Sequence, residues 1–159
     1  MKDGQRDRSH ELTLDLPAAH SAVRVARNVV RHFARLQGVK DSEVEYLLLI
    51  VSELLANAID HGGGASAMTE NDLDGDPRMR LAFTLRESDW TLSVTDEGGG
   101  DPERVRALCQ SANGGLPDLE DERGRGLFLL AQMVDSLEVE KSPDGRGLTF
   151  RIAKRHVRA

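Results

Sequence analysis

Leu12, Leu14 and Leu16 alternate with Thr13 and Asp15 before Pro17, the two-residue period of a half-buried strand. Over residues 18–36 the period changes. Ala22, Val23, Ala26, Val30, Phe33 and Ala34 recur at three- and four-residue steps, which predicts an amphipathic helix that Gly38 ends. A second helix is predicted from a capping box of Ser42 and Glu45 to about Asp60. Its broad apolar face is Val44, Leu47, Leu48, Val51, Leu54, Leu55 and Ile59. Residues 62–78 are rich in Gly and Asp and lack periodicity, so they read as a loop. Alternation returns at Leu81, Phe83 and Leu85 and at Trp90, Leu92 and Val94, two strands joined by a turn at Glu87, Ser88 and Asp89. Residues 98–123 form a long connecting segment with helix signals near Glu103, the kind of segment that serves as a lid or stays disordered. Leu127, Leu130, Ala131 and Val134 predict a short helix starting near Gly126. Strands at residues 137–140 and 148–152 close the chain around a turn at Asp144, Gly145, Arg146 and Gly147.

Short turns between neighbouring strands imply antiparallel hairpins, and the helices interrupt rather than alternate with them. The expected class is therefore α+β: a two-layer α/β sandwich, its sheet mixed but mostly antiparallel, with helices on one face. Residues 1–10 are polar and read as a disordered tail, and residues 11–159 read as a single domain.

Composition narrows the setting. A chain of 159 residues can bury roughly 70% of its unfolded surface and needs no staple. A single cysteine, Cys109, excludes an internal disulfide. No run approaches the roughly 18 apolar residues of a membrane span, and the first residues have no signal-peptide core, so the expected location is cytoplasmic. The net charge is −6, and no basic patch interleaved with aromatics suggests direct nucleic-acid binding. Arg24, Arg27, Arg31 and Arg35 make a basic stripe at helical spacing; a solvated face is the simpler reading, a docking surface for an acidic partner the sharper one.

Several polar positions then stand out. Glu53 and Asn57 lie four residues apart on one stripe of a mostly apolar helix, where polar groups need partners. Asn57 offers a neutral oxygen to Mg²⁺, which takes few protein ligands beside phosphate oxygens and water. Glu53 could accept a proton from an attacking hydroxyl. A Glu satisfied by a nearby Arg and an Asn capping the helix end remain the plainer alternatives.

By strand parity Asp96 shares a face with Leu92 and Val94, so its carboxylate must be paired or hydrogen-bonded. An adenine amine would donate to it, whereas guanine would present a repelled carbonyl. A turn-capping Asp before glycines is an equally common reading. Gly98 and Gly100 would let the backbone approach a planar base. Gly124 and Gly126 precede a helix, where free N–H groups favour phosphate, and Arg123 and Arg125 add positive charge. A simple hinge is the alternative there. The acidic stretch at residues 72–76 resembles a calcium loop in composition, but starting it at Glu70 puts Leu81 where a bidentate Glu belongs. No P-loop, no Gly-x-Ser-x-Gly elbow and no zinc spacing occurs.

Together these residues look familiar. Glu53-x-x-x-Asn57-Ala58-x-x-His61 resembles the N box of the GHKL (Bergerat-fold) ATPases. Asp96-x-Gly98-x-Gly100 resembles their first glycine box, Gly124-x-Gly126-Leu127 the second, and Gly147-Leu148-Thr149 the closing segment. Within that superfamily, a short chain with Glu122-Arg123-Gly124 before its glycine box is similar to the bacterial anti-sigma factor serine/threonine kinases.

The resemblance implies ATP and Mg²⁺ as cofactors. Glu53 would be the general base, Asn57 the Mg²⁺ ligand and Asp96 the reader of adenine, with Gly98 and Gly100 beneath the base. Arg123, Gly124, Gly126 and Leu127 would hold phosphates, and Thr149 would support the base pocket. The implied partners are an alternative sigma factor, which is sequestered, a STAS-domain antagonist, phosphorylated on a serine, and a second copy of the chain in a homodimer. Two other readings stay open: a nucleotide-binding or partner-binding switch without catalysis, and a phosphotransfer fragment of a histidine kinase.

Overall fold

The computed structural model describes residues 8–61, 77–98, 100–110 and 122–155, without the side chains of residues 61, 108–110 and 122–125. Strand β1 (His10–Pro17) leads into helix α1 (His20–Leu36) and helix α2 (Asp41–His61). Strands β2 (Arg78–Leu85) and β3 (Asp89–Thr95) form a hairpin. Helices α3 (Pro102–Gln110) and α4 (Glu122–Met133) follow, and strands β4 (Ser136–Lys141) and β5 (Leu148–Arg155) close the chain. The acidic loop at residues 62–76, the tail at residues 1–7 and lid residues 111–121 lie outside the described residues.

One sheet of order β1-β2-β3-β5-β4 is formed. Every described pairing is antiparallel, in keeping with the mostly antiparallel sheet expected and without its mixed element. The reason is topological: β3 and β4 run the same way, but β5 inserts between them and pairs antiparallel with both. Alternation then decides which residues are buried. Leu81, Phe83, Trp90, Leu92, Val94, Phe150 and Ile152 face the helices and are at most 1% exposed. The opposite face presents Arg80, Thr91, Ser93, Thr95 and Arg151.

α1 docks on small residues. Ala22, Ala26, Val30 and Ala34 are buried, so the helix axis approaches closely, and the arginine stripe faces outward. Arg35 reaches Asp41 at 3.0 Å across the α1–α2 turn, where Gly38 takes a φ of 80° that favours glycine. Phe83 anchors the core between Phe33, at 5.8 Å edge-on, and Trp90, at 6.1 Å.

Several predicted boundaries moved. α2 begins at Asp41, and the Val44 N–H donates to the Lys40 carbonyl at 2.9 Å. Ser42 therefore sits inside the helix and cannot cap it. α4 begins at Glu122, four residues before the predicted start, and helix signals near Glu103 became α3. His10, assigned to the tail, is the first residue of β1, where pairing with Leu85 holds it.

Candidate functional site

α2 carries two of the candidate residues. Leu54, Leu55, Ala58 and Ile59 are at most 1% exposed and fix the helix against the core. That leaves Glu53 exposed and Asn57 half-buried along the adjoining stripe. Asn57 Nδ2 is buried without a hydrogen-bond partner among the described residues. An orphaned amide is costly, at about 1–3 kcal/mol for an unmet donor. A phosphate oxygen would satisfy it, with the amide oxygen turned to a cation. No cluster of three His, Cys, Asp or Glu side chains able to hold a metal occurs among the described residues. A Mg²⁺ at Asn57 would thus draw its other ligands from phosphate and water, which is its habit.

α4 crosses beside Glu53. A methyl group built at Gly126 would lie 3.7 Å from Glu53 Oε2, so the N-box carboxylate and the second glycine box are neighbours. Because the helix starts at Glu122, its free N-terminal amides include Gly124 but not Gly126, whose N–H falls within the hydrogen-bonded ladder. Gly126 thus leaves room beside Glu53, and its N–H is not among the free amides at the helix start. Leu127 is 1% exposed and packs in the core. Arg123 lies in the first turn of α4, its side chain outside the described residues.

The third part of the site is a corner built on Asp96. It follows Leu92 and Val94 on the helix-facing side of β3 and is 4% exposed. Its Oδ1 accepts the Gly98 N–H at 3.0 Å and the Leu148 N–H at 3.1 Å. Its own N–H donates to the Leu148 carbonyl at 2.9 Å. Among the described residues no hydrogen bond uses Oδ2, which leaves one carboxylate oxygen for a ligand donor.

Two glycines make this corner possible. A Cβ on Gly147 would stand 1.9 Å from the Asp96 carbonyl oxygen and 2.6 Å from Oδ1. A Cβ on Gly100 would meet Leu148 Cδ1 at 2.8 Å. The approach of β5 to Asp96 therefore needs glycine at 147, and Leu148 forms an apolar wall under Gly100.

Thr149 is placed differently from the other candidates. It pairs with Thr95, and the two hydroxyls meet at 2.9 Å on the sheet face away from the helices. Strand parity turns Leu148, not Thr149, toward the Asp96 side. Gly147 and Leu148 were named in sequence only as part of the closing segment, with Thr149 as its site residue, and the buried Ser142 was not singled out; the crowding of Gly147 against Asp96 is a contact between distant segments.

A cavity of about 470 Å³ opens at this corner. Asp96 and Ser142 line it together with Arg78, Arg80, Thr95 and Asp144, whereas Glu53, Asn57 and Gly126 do not.

Residues 16–152 match the model of a histidine kinase-like ATPase domain. The chain is similar to the anti-sigma F factor of Bacillus velezensis, at 30% identity over 148 residues, covering 91% of this chain and 92% of that protein. The anti-sigma F factor of Bacillus subtilis is 29% identical with the same coverage. Among solved structures, the SiaB–SiaC complex of Pseudomonas aeruginosa matches with a TM-score of 0.60 at 19% identity, over 95% of this chain and 92% of that one. The RsbU and RsbW domains of a Mycobacterium tuberculosis protein match with a TM-score of 0.59 at 18% identity, over 92% of this chain and 32% of that one. At such identities the structural likeness establishes the fold. With the matched domain spanning residues 16–152, nearly the whole fold, this chain belongs to the family of histidine kinase-like ATPase domains, the GHKL group.

Proposed function

We propose that this chain is an ATP-binding anti-sigma factor that sequesters an alternative sigma factor and phosphorylates a serine of a STAS-domain antagonist. The observation that carries the reading is the Asp96 corner: one carboxylate oxygen is fixed by two backbone N–H groups and the other is left for an exocyclic amine. Adenine supplies that amine. The similarity to anti-sigma F factors over nearly the whole chain supports the regulatory role, and a homodimer belongs to the same proposal.

In the proposed transfer, the serine oxygen forms a bond to the γ-phosphorus of ATP. The bond to the β–γ bridging oxygen breaks, ADP leaves, and the serine proton passes to Glu53. Glu53 is exposed beside Gly126, where a partner's hydroxyl can reach it. Asn57 would hold Mg²⁺, whose charge offsets that developing on the phosphates. Gly124 supports phosphate through its N–H at the start of α4. Gly98 and Gly100 line the base, and Arg123 adds charge in the same turn as Gly124.

The test is radiolabelled γ-phosphoryl transfer to a STAS-domain partner, with calorimetry of Mg-ATP binding beside it. An acid-stable phosphoserine on the partner supports the reading. Binding without transfer identifies a nucleotide-dependent switch instead, and an acid-labile phosphohistidine identifies a histidine-kinase fragment. The absence of any ATP binding at millimolar concentration rejects all three nucleotide-dependent readings.

A further inference from the structure

The Asp96 carboxylate is oriented by the far side of the β4–β5 hairpin. Ser142 is 5% exposed at the end of β4. Its hydroxyl donates to Asp144 Oδ1 at 2.6 Å and accepts the Gly147 N–H at 3.0 Å. Its backbone N–H donates to the Gly147 carbonyl at 2.9 Å, and its carbonyl accepts the Gly145 N–H at 2.9 Å. Asp144 Oδ1 also accepts the Arg146 N–H at 3.0 Å, which closes the turn on itself. Gly147 is thus held from behind while its front face presses on Asp96, and the next residue supplies the N–H that fixes Asp96 Oδ1.

We infer that Ser142 is a positioning residue for Asp96 and that, through Gly147 and Leu148, it sets how strictly the site separates adenine from guanine nucleotides. The inference rests on the reading of Asp96 as the base-contacting carboxylate. Its physical content is directional. Base choice by one carboxylate requires that Oδ2 point at the amine, because a carboxylate free to rotate can meet guanine with a bridging water. Oδ1 is pinned by two N–H groups, and one of them arrives only if the turn stays closed. Removing the Ser142 hydroxyl leaves the Gly147 N–H buried without its partner and releases Asp144. The turn then loosens, and with it the Leu148 N–H.

The experiment measures ADP and GDP affinities calorimetrically for the wild type and for Ser142→Ala, Asp144→Ala and Asp144→Asn. Asp144 is exposed, so its variants fold even if Ser142→Ala does not. The ADP-over-GDP preference is expected to drop about fivefold in Ser142→Ala and in Asp144→Ala, the size of one lost hydrogen bond. Asp144→Asn keeps an acceptor for Ser142 and Arg146 and is expected to hold the wild-type ratio. An unchanged ratio in both alanine variants overturns the inference, and so does a parallel loss of both affinities, which marks a purely structural role. These outcomes leave the wild-type preference intact. A wild type that binds neither nucleotide, or both alike, removes the Asp96 reading itself and the inference with it.

Discussion

Leu148 and Asp96 hold each other twice: the Leu148 N–H donates to Asp96 Oδ1 at 3.1 Å, and the Asp96 N–H donates to the Leu148 carbonyl at 2.9 Å. Fifty-two residues separate them, so this corner exists only after β5 has inserted beside β3. The same pairing decides what a substitution at Asp96 would do. In Asp96→Asn the side-chain oxygen still accepts both N–H groups, so thermal stability is expected to stay near that of the wild type. The amide offers an N–H₂ where an acceptor is needed. A loss of about tenfold or more in ATP affinity is expected, the scale of one charge-assisted hydrogen bond. Calorimetry beside a melting curve checks both halves.

Glu53→Gln separates chemistry from binding. The side chain is exposed and lies beside Gly126, so the fold and the ATP affinity are expected to change little. Transfer to the STAS-domain serine is expected to slow by about 100-fold or more, the usual contribution of a general base. Single-turnover labelling at saturating ATP reads the rate directly. A rate within a few-fold of the wild type removes Glu53 as the base.

Asn57→Ala should move stability in opposite directions with and without ligand. Without nucleotide it deletes a buried donor that has no partner, so the melting temperature is expected to hold or rise. With Mg-ATP the wild type gains stability by mass action, and the variant is expected to gain almost none. Thermal melts across a Mg-ATP titration give both numbers. Equal ligand-induced shifts in the two proteins would show that Asn57 plays no part in binding.

The core around Phe83 sets the stability of the frame. Phe83 is 1% exposed and touches the rings of Phe33 and Trp90. Phe83→Ala is expected to cost about 3–5 kcal/mol. The single tryptophan, Trp90, provides the fluorescence signal for urea unfolding.

Asp144 gives the β4–β5 turn a pH dependence of known sign. The Ser142 hydroxyl, and after it the Arg146 N–H, hold its carboxyl below the ordinary value of 3.8. A depressed folded value means the contribution is fully present above 3.8 and fades as pH falls through the folded value. Asp144→Asn is therefore expected to have a slightly lower urea midpoint than the wild type at pH 7, with the gap starting to close below pH 3.8 and closing as pH falls through the folded value. A gap that persists unchanged at acid pH rejects the assignment.

Much of this protein was legible in the linear chain. Alternation at Leu81, Phe83 and Leu85 and at Leu92 and Val94 located two strands and their buried faces, because a strand's side chains must alternate. Three- and four-residue spacing located α1 and α2 for the matching reason. Glu53 and Asn57 were visible as polar groups on an apolar stripe, and Asp96 as a carboxylate in phase with core residues. Local periodicity and polarity suffice for such positions, since each depends on its own neighbours.

Other features depend on residues far apart in sequence. That β5 lies between β3 and β4 follows from which edge the last hairpin can reach, and no local pattern encodes it. The side of the sheet taken by Thr149 depends on the register of β5 against β3, and a shift of one residue exchanges it with Leu148. Gly147 looks like an ordinary turn glycine until the Asp96 carbonyl oxygen is found where its side chain would be. Periodicity fixes what each segment presents, because it is a property of one strand or helix. Contact between segments fixes what those faces meet, because close packing admits only the residues that fit.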